Sequence, residues 1–187
     1  MSNLKAVAIS GSIRTNSLNR QALQIAKKIA ANLGIDVIEV DLKQFNLPIY
    51  DGDIEDLGIP NKVRELKKIV ENADILILAS PEYNHSISGA LKNTIDWLTR
   101  GNNSLTKKVA AIFGVSSGSF GTVRGQNHLR QILTALNVYV IPQPQVFISN
   151  GDNAFFADGS LKNSTTQELL ENLINKAYEI ALKLKSN

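Results

Sequence analysis

The chain has 187 residues, 43% of them hydrophobic and 20% charged, with a net charge of +3; that is enough for one buried core, with no bias toward disorder. Cysteine is absent and His85 and His128 are the only histidines, which excludes disulfides, thiolate nucleophiles and cysteine-held metal centres, so no metal site is expected. Lysines and arginines are scattered among acidic residues rather than gathered into a basic block with interleaved aromatics, so small anionic ligands are expected and nucleic acid is not.

The opening stretch MSNLKAVAIS holds an apolar run too short for a signal-peptide core or a membrane span, so a cytoplasmic protein without a membrane partner is expected. Leu4 to Ser10 reads as a strand, and Ser17 to Leu33 as a helix with Leu18, Ala22, Ile25, Ala26, Ile29 and Leu33 along one face. Asp36 to Leu42 is strand-like. After a loop carrying Pro48 and Pro60, Val63, Leu66, Ile69 and Val70 repeat at helical spacing, and Asp74 to Ser80 is an apolar strand. A helix from about Ser88 to Arg100, a strand from Lys108 to Val115 and a helix from about Thr122 to Leu136 follow. The last strand begins near Tyr139 and is interrupted by IPQPQ, because Pro142 and Pro144 cannot donate to a ladder. The turn-rich stretch NGDNAFFADGS leads to a closing helix from Thr165 to Lys185.

Five strands alternating with five helices predict right-handed crossovers and a parallel sheet covered on both faces, in a single domain over residues 1–187. Ligands of such sheets bind beyond the carboxyl ends of the strands. Three strand ends are rich in small polar residues: SGSIRTNSLNR, SPEYNHSISG and VSSGSFG.

In the first, Gly11 permits a sharp turn, and Ser12, Ser17 and the amides of Thr15 to Leu18 lie where a helix N-terminus favours a phosphate, with Arg14 as a charged contact. The spacing matches neither the nucleoside-triphosphate loop nor the dinucleotide fingerprint. The alternative is that Ser17 only caps the helix and Arg14 is solvated. In the second, Pro81 fixes the chain as it leaves the sheet, Tyr83 offers a planar face, Asn84 tolerates unusual backbone angles, and Gly89 lets a helix start close to a ligand. His85 is a rim or loop-shaping residue before it is a proton carrier, since no carboxylate is assignable to it. In the third, GVSSG matches the nucleophile elbow with Ser116 as nucleophile, yet His128 is the only later histidine and no acid lies between them. A serine esterase is therefore the weakest reading.

The stretches GSIRTNSLN, PEYNHSISGALKNTIDW and SSGSFGTVRGQNHLRQIL, with the matching order of elements along nearly the whole chain, resemble the flavodoxin-like NAD(P)H-dependent FMN reductases, which include azobenzene, quinone and chromate reductases. The resemblance implies an α/β fold, a flavodoxin-like three-layer α/β/α sandwich with a five-stranded parallel sheet of order 2-1-3-4-5. It implies FMN as cofactor, with Ser12, Arg14, Ser17, Leu18 and Asn19 around the phosphate, Pro81, Glu82, Tyr83 and Asn84 around the isoalloxazine ring, and Ser116, Ser117 and Gly118 toward the ribityl and pyrimidine side. Asn16 stands where some relatives place glycine, and asparagine is the other residue suited to a left-handed turn. The implied reaction is hydride transfer from NADPH or NADH to N5 of FMN and on to a quinone, azo compound or similar small acceptor, with no catalytic side chain. Dimers or tetramers are implied as well, with the Trp97 helix as a contact surface. A flavodoxin-type single-electron carrier is the second reading, and the basic balance of the chain speaks against it, because such carriers dock on basic partners.

Overall fold

A six-stranded parallel sheet lies at the centre of the computed structural model, which describes residues 4–186; the first three residues of the opening stretch lie outside the described residues. In chain order the elements are β1 (Lys5–Ser10), α1 (Leu18–Asn32), β2 (Asp36–Val40), α2 (Leu42–Phe45), α3 (Gly52–Asp56), α4 (Asn61–Glu71), β3 (Ile75–Ala79), β4 (Glu82–Tyr83), β5 (Ser86–Ile87), α5 (Gly89–Leu98), β6 (Val109–Val115), α6 (Val123–Ala135), β7 (Tyr139–Val140), β8 (Val146–Ile148) and α7 (Ser164–Lys185).

The strand order is β2-β1-β3-β6-β7, with β8 also on β6. Counting the long strands, this is the expected order 2-1-3-4-5, with the fifth place shared by two pieces. Both pieces pair in parallel with β6, Tyr139 opposite Val109 and Val146 opposite Phe113. Between them the chain leaves the ladder at the two prolines, and α6 supplies donors for the carbonyls left at the break: Arg130 Nη1 donates to the Ile141 carbonyl at 2.6 Å and Gln126 Nε2 to the Val146 carbonyl at 2.9 Å.

Strand periodicity divides the core. Ala6, Ala8, Ile75, Ile77, Ala111 and Phe113 face α1 and α7, while Val7, Ile9, Leu76, Leu78, Ala110 and Ile112 face α4, α5 and α6. Side chains alternate across each strand, so a strand covered on both faces is apolar at every position.

Three features depart from the sequence expectation. The loop between Leu42 and Pro60 holds the short helices α2 and α3, and the stretch after Pro81 forms the antiparallel hairpin of β4 and β5. Trp97 is fully buried; its indole N–H donates to the Pro48 carbonyl at 2.8 Å and its ring meets Tyr50 edge-on at 5.1 Å. It holds the α2 to α3 loop onto α5, and so is not a subunit contact.

Candidate active site

Ser10 ends β1, and the Gly11 N–H donates to the Ala79 carbonyl at 2.8 Å, tying the first two strand ends together. A Cβ on Gly11 would stand 3.1 Å from Pro81 Cδ and 3.2 Å from Leu91 Cδ2. The glycine therefore serves close packing between loops rather than a left-handed turn. Ser17 caps α1, its hydroxyl accepting from the Arg20 N–H at 3.3 Å. The N–H groups of Thr15, Asn16, Ser17, Leu18 and Asn19 have no acceptor among the described residues. They cluster at the positive end of a fifteen-residue helix, with Arg14 exposed beside them and Lys43 reaching from α2 to donate to Thr15 Oγ1 at 3.3 Å. Asn16 has no positive φ, so its presence needs no left-handed turn.

Asn19 plays a part that the sequence did not reveal. Its carboxamide donates to the Val115 carbonyl and accepts from the Val115 N–H, both at 2.9 Å, and the residue is buried. The side chain extends the ladder at the tip of β6 as another strand would. Only its main-chain N–H remains for a ligand.

The second strand end turns at Pro81 into the β4–β5 hairpin. Asn84 and His85 form its two-residue turn with φ of 50° and 66°, the doubly left-handed geometry that matches strand twist. Tyr83 and Ser86 flank the turn and form the hydrogen-bonded pair, so the Glu82 N–H faces away from Ile87. Asn84 and His85 are exposed at the tip, and His85 is thus a loop-shaping residue. The Glu82 carboxylate turns toward α6: Oε2 accepts from the Gly125 N–H at 2.9 Å, and Oε1 lies 3.8 Å from Arg124 Nη1. Gly89 is not needed for close approach, since a Cβ there would meet nothing within 4 Å; Ser88 caps α5 instead, accepting from the Leu91 N–H at 3.2 Å.

The third strand end leaves β6 at Val115. Ser116 N–H donates to the Ile148 carbonyl at 3.0 Å, and the Gly151 N–H returns to the Ser116 carbonyl at 2.9 Å. Gly151 must be a glycine, for its Cβ would lie 2.6 Å from Val115 Cγ1 and 2.9 Å from Leu18 Cδ1. The amides of Ser117, Gly118 and Ser119 have no acceptor among the described residues. Ser116 Oγ faces the Gly118 carbonyl at 3.5 Å, and His128 Nδ1 lies 3.1 Å from Ser86 Oγ. The elbow serine and the later histidine do not form a nucleophile and base pair.

These three ends enclose one cavity of about 360 Å³, lined by Ser12, Arg14, Ser17, Leu18, Asn19, Pro81, Glu82, Tyr83, Val115, Ser116, Ser117 and Gly118. Every residue expected at the site borders it except Asn84, which the hairpin carries outward; Val115 is the addition. Gly125 and Arg124 were not anticipated. Their signal was a glycine three residues into a helix, where glycine is disfavoured unless another backbone comes close.

Residues 4–153 match the model of the NADPH-dependent FMN reductase family. An NAD(P)H-dependent FMN reductase of Pseudomonas aeruginosa is 40% identical over 171 residues, covering 90% of each chain. An NAD(P)H:quinone oxidoreductase of Solanum tuberosum is 37% identical over 187 residues, covering 97% of this chain and 95% of the relative. Among solved structures, the flavoenzyme NAD(P)H:(acceptor) oxidoreductase FerB of Paracoccus denitrificans superposes with a TM-score of 0.86 at 30% identity, over 96% of this chain and 98% of that one. With the fold, the three strand ends and these likenesses in agreement, the chain belongs to the NADPH-dependent FMN reductase family and is a flavin-dependent oxidoreductase.

Proposed function

We propose that this oxidoreductase binds FMN in the cavity at the strand ends and passes reducing equivalents from NADPH or NADH to quinones, with azo compounds and similar flat acceptors as further substrates. The observation that carries this reading is the run of amides from Thr15 to Asn19, without acceptors among the described residues, of which Ser17, Leu18 and Asn19 line the same cavity as Pro81, Tyr83 and Ser117. A dianionic phosphate fits such a donor cluster at a helix N-terminus, and Arg14 adds a charge-assisted contact. Ser12, Ser17 and Leu18 would border the phosphate, and Asn19 would contribute its main-chain N–H.

The chain's remaining work is orientation. Pro81, Glu82 and Tyr83 line one wall with main-chain groups suited to the heteroatoms of an isoalloxazine ring, and Ser116, Ser117 and Gly118 present amides from the other. Asn84 shapes the turn that presents this wall. FMN, when bound, supplies the hydride chemistry itself. No side chain in the cavity is required to carry a proton.

The whole chain acts as one domain in this reading, and a second copy closes the cleft, as dimer or tetramer. Ile13, Tyr83 and Phe120 support this: they stand on the three strand-end loops yet are 51%, 52% and 65% exposed. No helix among the described residues is long and apolar enough to cross a membrane, in keeping with a cytoplasmic enzyme working on small molecules.

Purified protein is expected to be yellow, or to become so with added FMN, and to oxidise NADPH or NADH when a benzoquinone is supplied. A colourless protein that gains neither flavin absorbance nor this activity on incubation with FMN overturns the proposal.

A further inference from the structure

Helix α6 lacks a cap of its own. Thr122 occupies the N-cap position but makes no capping hydrogen bond; its hydroxyl accepts from Gln126 Nε2 at 2.8 Å instead. The acceptor for the third residue's N–H, Gly125, comes instead from 43 residues away, in the carboxylate of Glu82 at 2.9 Å. That side chain is only 10% exposed, and Arg124 stands 3.8 Å from its other oxygen. An anion placed there satisfies an orphan donor and complements the helix's positive end at once.

The surrounding packing is built for this contact. A Cβ on Gly125 would lie 3.1 Å from the Ser86 carbonyl oxygen and 3.4 Å from Glu82 Cβ, so a glycine is what lets the helix lie against the hairpin. One turn later, His128 Nδ1 meets Ser86 Oγ at 3.1 Å. The β4–β5 hairpin is thus fastened to α6 at Gly125, Arg124 and His128. The hairpin forms one wall of the cavity, and the segment from Ser116 to Gly121, which runs straight into α6, forms the other. Glu82, with the His128–Ser86 contact one turn later, links the two.

We infer that Glu82 is a positioning residue: its carboxylate caps α6 from the neighbouring hairpin and so sets the spacing of the two walls that hold the flavin ring. It also occupies the positive end of α6, which leaves α1 as the open helix terminus facing the cavity and directs the phosphate there. The inference rests on the proposed FMN site, and its test separates the two.

The experiment titrates the apoprotein with FMN, followed by flavin fluorescence, for the wild type, Glu82→Ala and Glu82→Gln. Amide exchange of residues 82–87 and 123–128 is measured in the flavin-free protein alongside. Glu82→Ala is expected to weaken FMN at least about tenfold and to speed exchange in both segments. Glu82→Gln keeps an acceptor for the Gly125 N–H and is expected to stay within about threefold of wild type. Wild-type affinity in Glu82→Ala overturns the inference. So does a folded Glu82→Gln as impaired as the alanine variant, since the charge rather than the cap would then matter; this arm decides the question if the alanine variant does not fold. Absence of FMN binding by the wild type refutes the site, while the exchange comparison still reads the cap.

Discussion

The two ends of the parallel sheet treat helix termini in opposite ways. At the amino edge of the strands, helix C-termini are closed by side chains. Lys67 Nζ donates to the carbonyls of Leu98, Arg100 and Asn102 at 3.1, 2.9 and 2.6 Å beyond α5; Lys108 Nζ donates to Glu71 and Ala73 at 3.1 and 2.6 Å beyond α4; and Asn103 Nδ2 donates to Leu136 at 2.9 Å beyond α6. Both lysines are buried, at 7% and 8% exposure. At the carboxyl edge, Ser88, Glu82 and Ser17 each accept from one first-turn N–H of α5, α6 and α1, but before α1 the open amides run back through Ser17, Asn16 and Thr15. Orphan groups at helix ends must find partners. What sets α1 apart is that the residues of its first turn, Leu18 and Asn19, line the cavity between the strand ends together with the cap residue Ser17.

The largest effect expected from breaking this contrast is at Gly114, which lets the carboxyl edge converge. A Cβ there would lie 2.1 Å from the Ser80 carbonyl oxygen and 2.4 Å from Thr122 Oγ1. Gly114→Ala should cost ~3 kcal/mol or more, the upper end of overpacking, read as a fall in the urea midpoint; an unchanged midpoint would mean the loops can part freely.

Next comes Asn19→Ala. It leaves the buried N–H and carbonyl of Val115 without the partners they now have, a loss of about 2–4 kcal/mol from two unsatisfied groups. Circular dichroism in a urea series measures it.

Arg14→Ala sharpens the contrast from the ligand's side. The side chain belongs to no ion pair among the described residues, so stability should hold while FMN affinity falls by about tenfold, the size of one charge-assisted contact. The loss should shrink as salt rises. A variant that binds FMN as wild type does would remove arginine from the phosphate's surroundings.

The smallest effect tests the closed edge. Burial holds the Lys67 and Lys108 ammonium groups below the ordinary lysine value of 10.5. Between that lowered value and 10.5 the unfolded chain binds more protons than the folded one, so stability from these groups rises with pH across that window. Replacing both with methionine should flatten the alkaline rise in the urea midpoint while lowering the midpoint itself.

Much of this was legible in the residues. β3 and β6 declare themselves because strands covered on both faces need apolar side chains at every position, and Pro142 with Pro144 marked the broken strand. Helices α2 and α3 escaped because four- and five-residue segments carry no periodicity to detect. The hairpin escaped because its strands are two residues each and its turn is Asn-His rather than Asn-Gly. For the site, Ser12 to Asn19 and Ser116 to Gly118 could be located from strand ends, but the work of Asn19 and Glu82 could not. Their partners lie 96 and 43 residues away, and only the folded chain brings them together.

The broken strand has a consequence of its own. Strands at the margins of a sheet are templates on which other chains can add, and short or interrupted margins resist this. Here one margin offers only the two-residue and three-residue pieces β7 and β8 around a proline kink, and the other, β2, carries Asp36 and Glu39. The interruption therefore protects the protein from fibrous self-assembly at the side of the sheet where an unbroken ladder would otherwise invite it.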